Sequence, residues 1–387
     1  MITKRFYLDH NASAPLAAAA RTAMLSALEI DANPSSVHGE GRQARRLVED
    51  ARRAVAALVN AKAEHVVFTS GATEAATTLL TPGWTMGRAP LTFSRLYVSA
   101  VEHPCLLSGG RFTPDAITIL PVLESGLLDL QALSDALKAH DRSKGLPLVA
   151  IHAANNETGV IQPVDAIGAI ARAAGATLVV DAVQAAGRLE IDISNDYADF
   201  LILSSHKIGG PKGAGAIVGG SDLMMPGALV RGGGQEKGHR AGTENVAAIA
   251  GFGAAARIAG EGLATVSEVE ALRDAFEEAV MELVPDAEIH GRGAPRLPNT
   301  LFFTIPGLKA ETAQIAFDLA GIALSAGSAC SSGKVGPSHV LKAMGKGEDT
   351  GALRVSIGAQ TGGAELDAFK VTLGGIAARR RNNEAAA

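Results

Sequence analysis

Uninterrupted apolar, β-prone runs alternate along this chain with segments of helical period, and several of the runs stop at a polar or charged group. Residues 66–69, 96–100, 117–122, 148–152, 177–181, 200–204 and 215–218 are runs of this kind. A strand with one wet face alternates apolar and polar residues, whereas a continuous apolar strand needs cover on both faces. The intervening segments supply that cover. Residues 163–174 read as a helix, with Pro163 at the start and Gly175 at the end. The pattern predicts an α/β fold with a mostly parallel sheet. After about residue 250 the pattern changes to a smaller α+β arrangement. Its expected elements are one or two long helices over 254–284, a strand at 299–305, a helix at 310–320, a strand at 353–357 and a last helix at 364–381. Residues 379–383 read as a frayed polar end.

Composition narrows the function classes. The 387 residues can bury a sizeable core without disulfides or structural metals. A net charge of −5 argues against generic nucleic-acid or anionic-membrane binding, and 4% aromatics disfavours a base-stacking platform. Two cysteines, Cys105 and Cys330, exclude a secreted disulfide scaffold and point to a reducing compartment. No apolar signal segment follows the first residues, and the small-residue run 246–256 stops at Arg257, too short to span a bilayer. The expectation is a soluble, cytoplasmic chain with no membrane and no nucleic acid among its partners. His38, His103, His152, His206, His239 and His339 are scattered without ligand spacing, so no metal site is expected.

Chemistry-bearing groups cluster where the apolar runs end, the edge at which open α/β sheets bind ligands. Ser204-Ser205-His206-Lys207 precedes a Gly-rich loop that lacks the Walker A order. Lys207 there is either a solvated loop lysine or an amine that condenses with a carbonyl cofactor. Asp181 is either a helix cap or a carboxylate that keeps a pyridine nitrogen protonated, with Gln184 three residues on. Ser70-Gly71-Ala72-Thr73-Glu74 is either a plain helix start or an anion cradle of backbone N–H groups and the Thr73 hydroxyl. His103, in Glu102-His103-Pro104, is structural or stacks on a planar group and passes protons. Asn155-Asn156-Glu157-Thr158-Gly159 is a turn or a set of fixed amide donors. The small-residue stretch 325–333 carries Cys330 in a context that suits an exposed, mobile thiol, whereas Cys105 reads as structural. The Gly-rich stretch from Arg231 through Arg240 to Asn245 either binds phosphate or turns the chain. Arg354, inside an apolar strand, needs a carboxylate partner, from substrate or from the protein itself.

Taken together, Ser-Gly-Ala-Thr-Glu, Glu-His-Pro, Asn-Asn-Glu-Thr-Gly, Asp-Ala-Val-Gln, Ser-His-Lys, Arg-Ala-Gly-Thr-Glu-Asn and Ser-Ala-Cys, in that order, resemble the cysteine desulfurases of the NifS/IscS-like group. These belong to the class V aminotransferases among fold-type I pyridoxal phosphate (PLP) enzymes. The likeness runs from Tyr7-Leu8-Asp9 to Ser356-Ile357-Gly358. It implies a large PLP-binding domain over 16–254, and a small domain of 1–15 plus 255–387 carrying the cysteine. It also implies a homodimer. Lys207 would be the Schiff-base lysine, Asp181 the partner of the ring nitrogen, and His103 the stacking residue. Asn156 and Gln184 would bond the phenolic side. Ala72, Thr73, Ser205 and His206 would hold the phosphate, with Thr243 reaching in from the other subunit. Asn156 and Arg354 would bind the substrate carboxylate. Cys330 would take sulfur from L-cysteine as a persulfide, releasing L-alanine, and pass it to an acceptor protein for iron–sulfur assembly or thiolation. Lys207 would remove the α-proton, and His103 or a neighbour would help to deprotonate Cys330 or the substrate thiol. Residues 337–341 after the cysteine resemble the long-loop group.

Departures from the family pattern fall at His10, at Ser13, at Thr77 and Thr78, at Ala359, and in a short tail. They bear on the acceptor more than on the reaction. Alternatives are a selenocysteine lyase, another class V activity, or a non-catalytic paralogue that binds a partner. The thiol at Cys330 separates the first reading from a transaminase, which needs none, and intact Lys207, Asp181, His103 and Cys330 oppose the paralogue.

Overall fold

The computed structural model describes residues 5–195, 197–327, 338–347 and 352–386. Its main sheet has nine strands. Ile117–Leu120, Ala89–Ser99, Leu146–His152, Thr177–Asp181 and Phe200–Ser204 are parallel neighbours. Gly215–Gly219 then runs antiparallel beside Phe200–Ser204, and Val66–Thr69 lies antiparallel beside that. Two reversals restore the direction, so Val66–Thr69 points the same way as the parallel block. Its carboxyl end therefore lies on the same edge as Ser99, His152, Asp181 and Ser204. An antiparallel ribbon of Gly83–Met86, the start of Ala89–Ser99 and Met224–Pro226 extends the far side.

The apolar runs behave as their composition requires. Every residue of Thr177–Asp181, Phe200–Ser204 and Gly215–Gly219 is buried. Helices Gly39–Leu58, Val164–Ala173 and Val246–Gly262 cover one face through Val55, Ile167 and Phe252. On the other face, Ala72–Leu79 and Pro104–Leu107 bury Leu79 and Leu106 with Trp84 and Phe200. The segment 246–283 is the one helical stretch among the described residues long and apolar enough to cross a membrane. It is a core element instead: Phe252 and Ala256 pack into the first core.

A second core gathers Leu8, Phe276, Phe303, Phe317 and Phe369 around a four-stranded antiparallel sheet. Thr300–Thr304 and Leu353–Ser356 form its centre. The expected boundary at 254/255 falls inside the helix Val246–Gly262, which stays with the first core through Ala256 and Ala259. The polar tail is helical rather than frayed, within Gly363–Ala386, and Arg380 donates to Asp286 (2.8 Å). Asn11 joins the two cores. Its Nδ2 donates to Thr300 Oγ1 (2.9 Å) and to the Asn156 carbonyl (3.2 Å), and its Oδ1 accepts from Asn299 (3.0 Å).

Candidate active site

A cavity of about 500 Å³ opens at the shared carboxyl edge. Ala72, Thr73, His103, Asn156, Asp181, Gln184, His206 and Lys207 line it, each of them a residue singled out from sequence. The edge assembles them because four consecutive sheet strands and the Val66–Thr69 strand all end there.

Asp181 is the last residue of its strand and lies opposite His152 in the neighbouring one. Its carboxylate accepts the Val183 N–H (2.9 Å). Burial pushes its carboxyl up to about 6, with Glu102 adding in the same direction, against the Val183 bond, His152 and Lys207. Such a carboxyl gains from an N–H⁺ donor placed in the cavity. Beneath it, fully buried Glu102 pairs with His152 Nδ1 at 2.8 Å. Burial alone would lower the His152 pKa, but that carboxylate raises it above the ordinary value.

His103 caps the short helix Pro104–Leu107, its Nδ1 accepting the Cys105 N–H at 3.2 Å. The Cys105 thiol lies 3.0 Å from the same nitrogen. Burial, then the charges of Lys207, His339 and His152, bring His103 down to about 4. The ring is therefore neutral at neutral pH, and with Nδ1 accepting, its proton sits on Nε2. That makes His103 a weak general base. The Cys105 thiol is pushed well above its usual range by burial and by Asp181 and Glu102, so it is inert.

Lys207 Nζ donates to the carbonyls of Asn11 and Ala12 (3.0 Å to the latter). Gln184 Nε2 donates to the same Asn11 carbonyl (3.0 Å), and its Oε1 accepts from Arg188 (2.6 Å), which fixes the amide orientation. At the opposite end the helix Ala72–Leu79 presents its first N–H groups. The strand Gly215–Gly219 lies directly behind the Gly71 turn. A Cβ at Gly215 would fall 2.7 Å from Gly71 backbone atoms, so glycine is required there.

Some expected residues are placed differently. Ser204, rather than Ser205, lines the cavity. Ser205 is fully buried, its Oγ has no partner among the described residues, and it packs against Gly210. Successive residues at a strand end face opposite ways, which explains the exchange. Arg354 is buried beside the cavity rather than lining it. It donates to Asp9 (2.7 Å) and to the Asn156 carbonyl (2.8 Å). Thr243 is exposed and away from the cavity of its own chain. Cys330 lies outside the described residues. Sequence reasoning did not assign Ser204, His152 or Lys212 to the site, although all three line it. The strand ends at Ser204 and His152 carried a signal, because the same edge rule applies to them.

The donor set can be tested against the expected cofactor. A helix start with Thr73, Ser204, His206 and Lys212 suits a phosphate. Asp181 suits a ring nitrogen that carries a proton, and Lys207 suits an aldehyde. The residues fit PLP.

Comparison with known proteins agrees. The class-V aminotransferase family model matches residues 6–369. A cysteine desulfurase of Cereibacter sphaeroides is 40% identical over 94% of this chain and 93% of its own length. The IscS-like cysteine desulfurase of Mycobacterium tuberculosis H37Rv is 36% identical over 98% of each chain. The X-ray structure of a NifS-like protein from Rickettsia africae superposes with a TM-score of 0.86 at 31% identity, covering 96% of this chain and 99% of that one. Family model, relatives and fold agree over nearly the whole length, and the chain belongs to the class-V aminotransferase family, among its cysteine desulfurases.

Proposed function

We propose that this chain, as a cytoplasmic homodimer, converts L-cysteine to L-alanine and carries the sulfur on Cys330 to an iron–sulfur scaffold or a thiolation protein. The observation that supports the reading best is the cavity that gathers Lys207, Asp181 and His103 beside an anion-accepting helix start. PLP, when bound, supplies an electron sink for charge developing at the substrate α-carbon.

The chain's own residues do the rest. Asp181 holds the proton on the ring nitrogen, and Gln184, oriented by Arg188, offers its second N–H to the phenolic oxygen. Lys207 Nζ secures the cofactor aldehyde and then moves the α-proton. His103 stacks on the ring, and its neutral imidazole helps to take the proton from Cys330 or the substrate thiol. Asn156 and Arg354 take the substrate carboxylate, Arg354 by exchanging Asp9 for it. The Cys330 thiolate attacks the substrate sulfur, the Cβ–S bond breaks with its electron pair left on Cβ, Cβ takes up the proton that the Cys330 thiol lost, and alanine leaves while the former substrate sulfur stays on Cys330. Thr243, exposed on its own chain, reaches the phosphate site of the partner.

The test is a pair of measurements on purified protein. Wild type with PLP shows a Lys207-dependent absorbance band, and incubation with L-cysteine yields alanine and one extra sulfur on Cys330 by mass spectrometry. A band without alanine overturns the desulfurase reading, and no band in wild type overturns the cofactor assignment.

A further inference from the structure

Glu74 lines the cavity in the first turn of Ala72–Leu79, the end we assign to the cofactor phosphate. A carboxylate there opposes an incoming dianion. Its two oxygens are occupied by different parts of the chain. Oε2 accepts the Ser70 N–H (3.0 Å) and the Ser70 hydroxyl, and Oε1 accepts Arg240 Nε (3.1 Å). Burial pushes the Glu74 carboxyl up, but the Ser70 and Arg240 bonds outweigh it and hold it below the usual range. Glu74 is thus a fixed negative charge whose cation comes from a loop 166 residues away in sequence.

That loop is pinned close by. Glu236 accepts from both terminal nitrogens of Arg52 (2.7 and 2.8 Å) and from the Phe68 N–H (2.8 Å). Phe68 belongs to the strand that leads into the Ser70–Thr73 turn. Glu236 and Lys237 hold φ of 47° and 56°, a left-handed conformation that non-glycine residues leave unless their surroundings fix it. The loop is therefore clamped to the strand, turn and helix that form the phosphate end.

We propose that Arg240 is a specificity-determining residue for the phosphate group of the cofactor, acting by neutralising Glu74 rather than by touching the phosphate. This rests on the reading that the cavity takes PLP with its phosphate at the Ala72–Leu79 helix start.

The experiment titrates cofactor-free protein separately with PLP and with pyridoxal, which lacks the phosphate, and reads absorbance. In Arg240→Gln, PLP affinity falls about tenfold or more while pyridoxal affinity stays at the wild-type value. The double variant Glu74→Gln/Arg240→Gln recovers most of the lost PLP affinity, because the charge needing neutralisation is gone. Arg240→Lys, a second route should Arg240→Gln fold poorly, keeps the preference for PLP over pyridoxal. Equal weakening of both ligands, or a double variant no better than the single one, overturns the assignment, because a merely structural loop contact behaves that way. A wild-type protein that binds neither ligand overturns the cofactor reading, and this assignment with it.

Discussion

Gly215→Ala is a small change with a calculable consequence. The added methyl carbon would stand 2.7 Å from both Cα and C of Gly71 and 2.8 Å from the Leu203 carbonyl oxygen. Carbon–carbon contacts relax at about 3.5–4.0 Å, so the Gly71 turn must retreat by roughly 0.8 Å or more. All three obstacles are backbone atoms, and no side chain can rotate away. Overpacking of this kind costs about 1–3 kcal/mol. The retreat also carries the Ala72 and Thr73 amides away from the phosphate position, and losing a hydrogen bond to a charged group costs about 1.5–3 kcal/mol, roughly 10- to 150-fold in PLP affinity. Urea unfolding of cofactor-free protein reads the first effect, and a PLP titration reads the second. Gly83→Ala is the control, because a Cβ there meets nothing within 4 Å among the described residues. Its stability stays within about 0.5 kcal/mol of wild type. If Gly215→Ala matched wild type in both stability and PLP affinity, the strand would not be what sets the height of the turn, and this account of the phosphate end would fail.

Two further predictions concern stability. Glu236→Leu leaves buried Arg52 with only the half-exposed Glu49 carboxylate (3.2 Å) and the Phe68 N–H without its acceptor, and lowers unfolding stability by about 3 kcal/mol in urea titration. A loss under about 1 kcal/mol would show that the clamp is solvated in solution. Burial, with neighbouring charges, holds His10, His103, His206 and His290 each at about 4, below the ordinary 6.5. Between those values the unfolded chain binds protons that the folded chain refuses, so stability falls as pH drops from about 6.5 toward 4. Asp181, raised to about 6, and Glu157, raised by burial, work the other way and offset two of these protons. His206 is partly exposed and screened by solvent, so one to two net protons give a slope of about 1–3 kcal/mol per pH unit. Cofactor-free protein equally stable at pH 6.5 and pH 4.5 would contradict the buried neutral histidines.

Much of this was legible in the sequence, for identifiable reasons. Residues 177–181 and 200–204 are apolar enough to demand burial on both faces, and the structure has strands over just those residues. Their terminal polar groups fall on one edge, so Asp181 and Lys207 could be paired before any geometry was known. Direction was not legible: nothing in Gly215–Gly219 distinguishes an antiparallel strand from a parallel one. The ribbon of Gly83–Met86 and Met224–Pro226 escaped notice because Gly83–Met86 is exposed except at Trp84 and Met224–Pro226 is only three residues long and ends in proline. The choice between Ser204 and Ser205 depended on where the strand stops, a matter of one residue. The Arg52–Glu236 and Arg240–Glu74 pairs join residues 184 and 166 positions apart, and no local pattern encodes either. Arg354 had been read as needing a carboxylate, and Asp9 supplies one from the opposite end of the chain.

The central claim is that sulfur leaves L-cysteine by way of Cys330. The most direct measurement is steady-state alanine release from L-cysteine by PLP-loaded wild type beside Cys330→Ala, with the cofactor absorbance of both recorded. The account predicts equal cofactor bands and alanine turnover lost in the variant. Turnover that survives Cys330→Ala at the wild-type rate would contradict it and leave a lyase that needs no thiol.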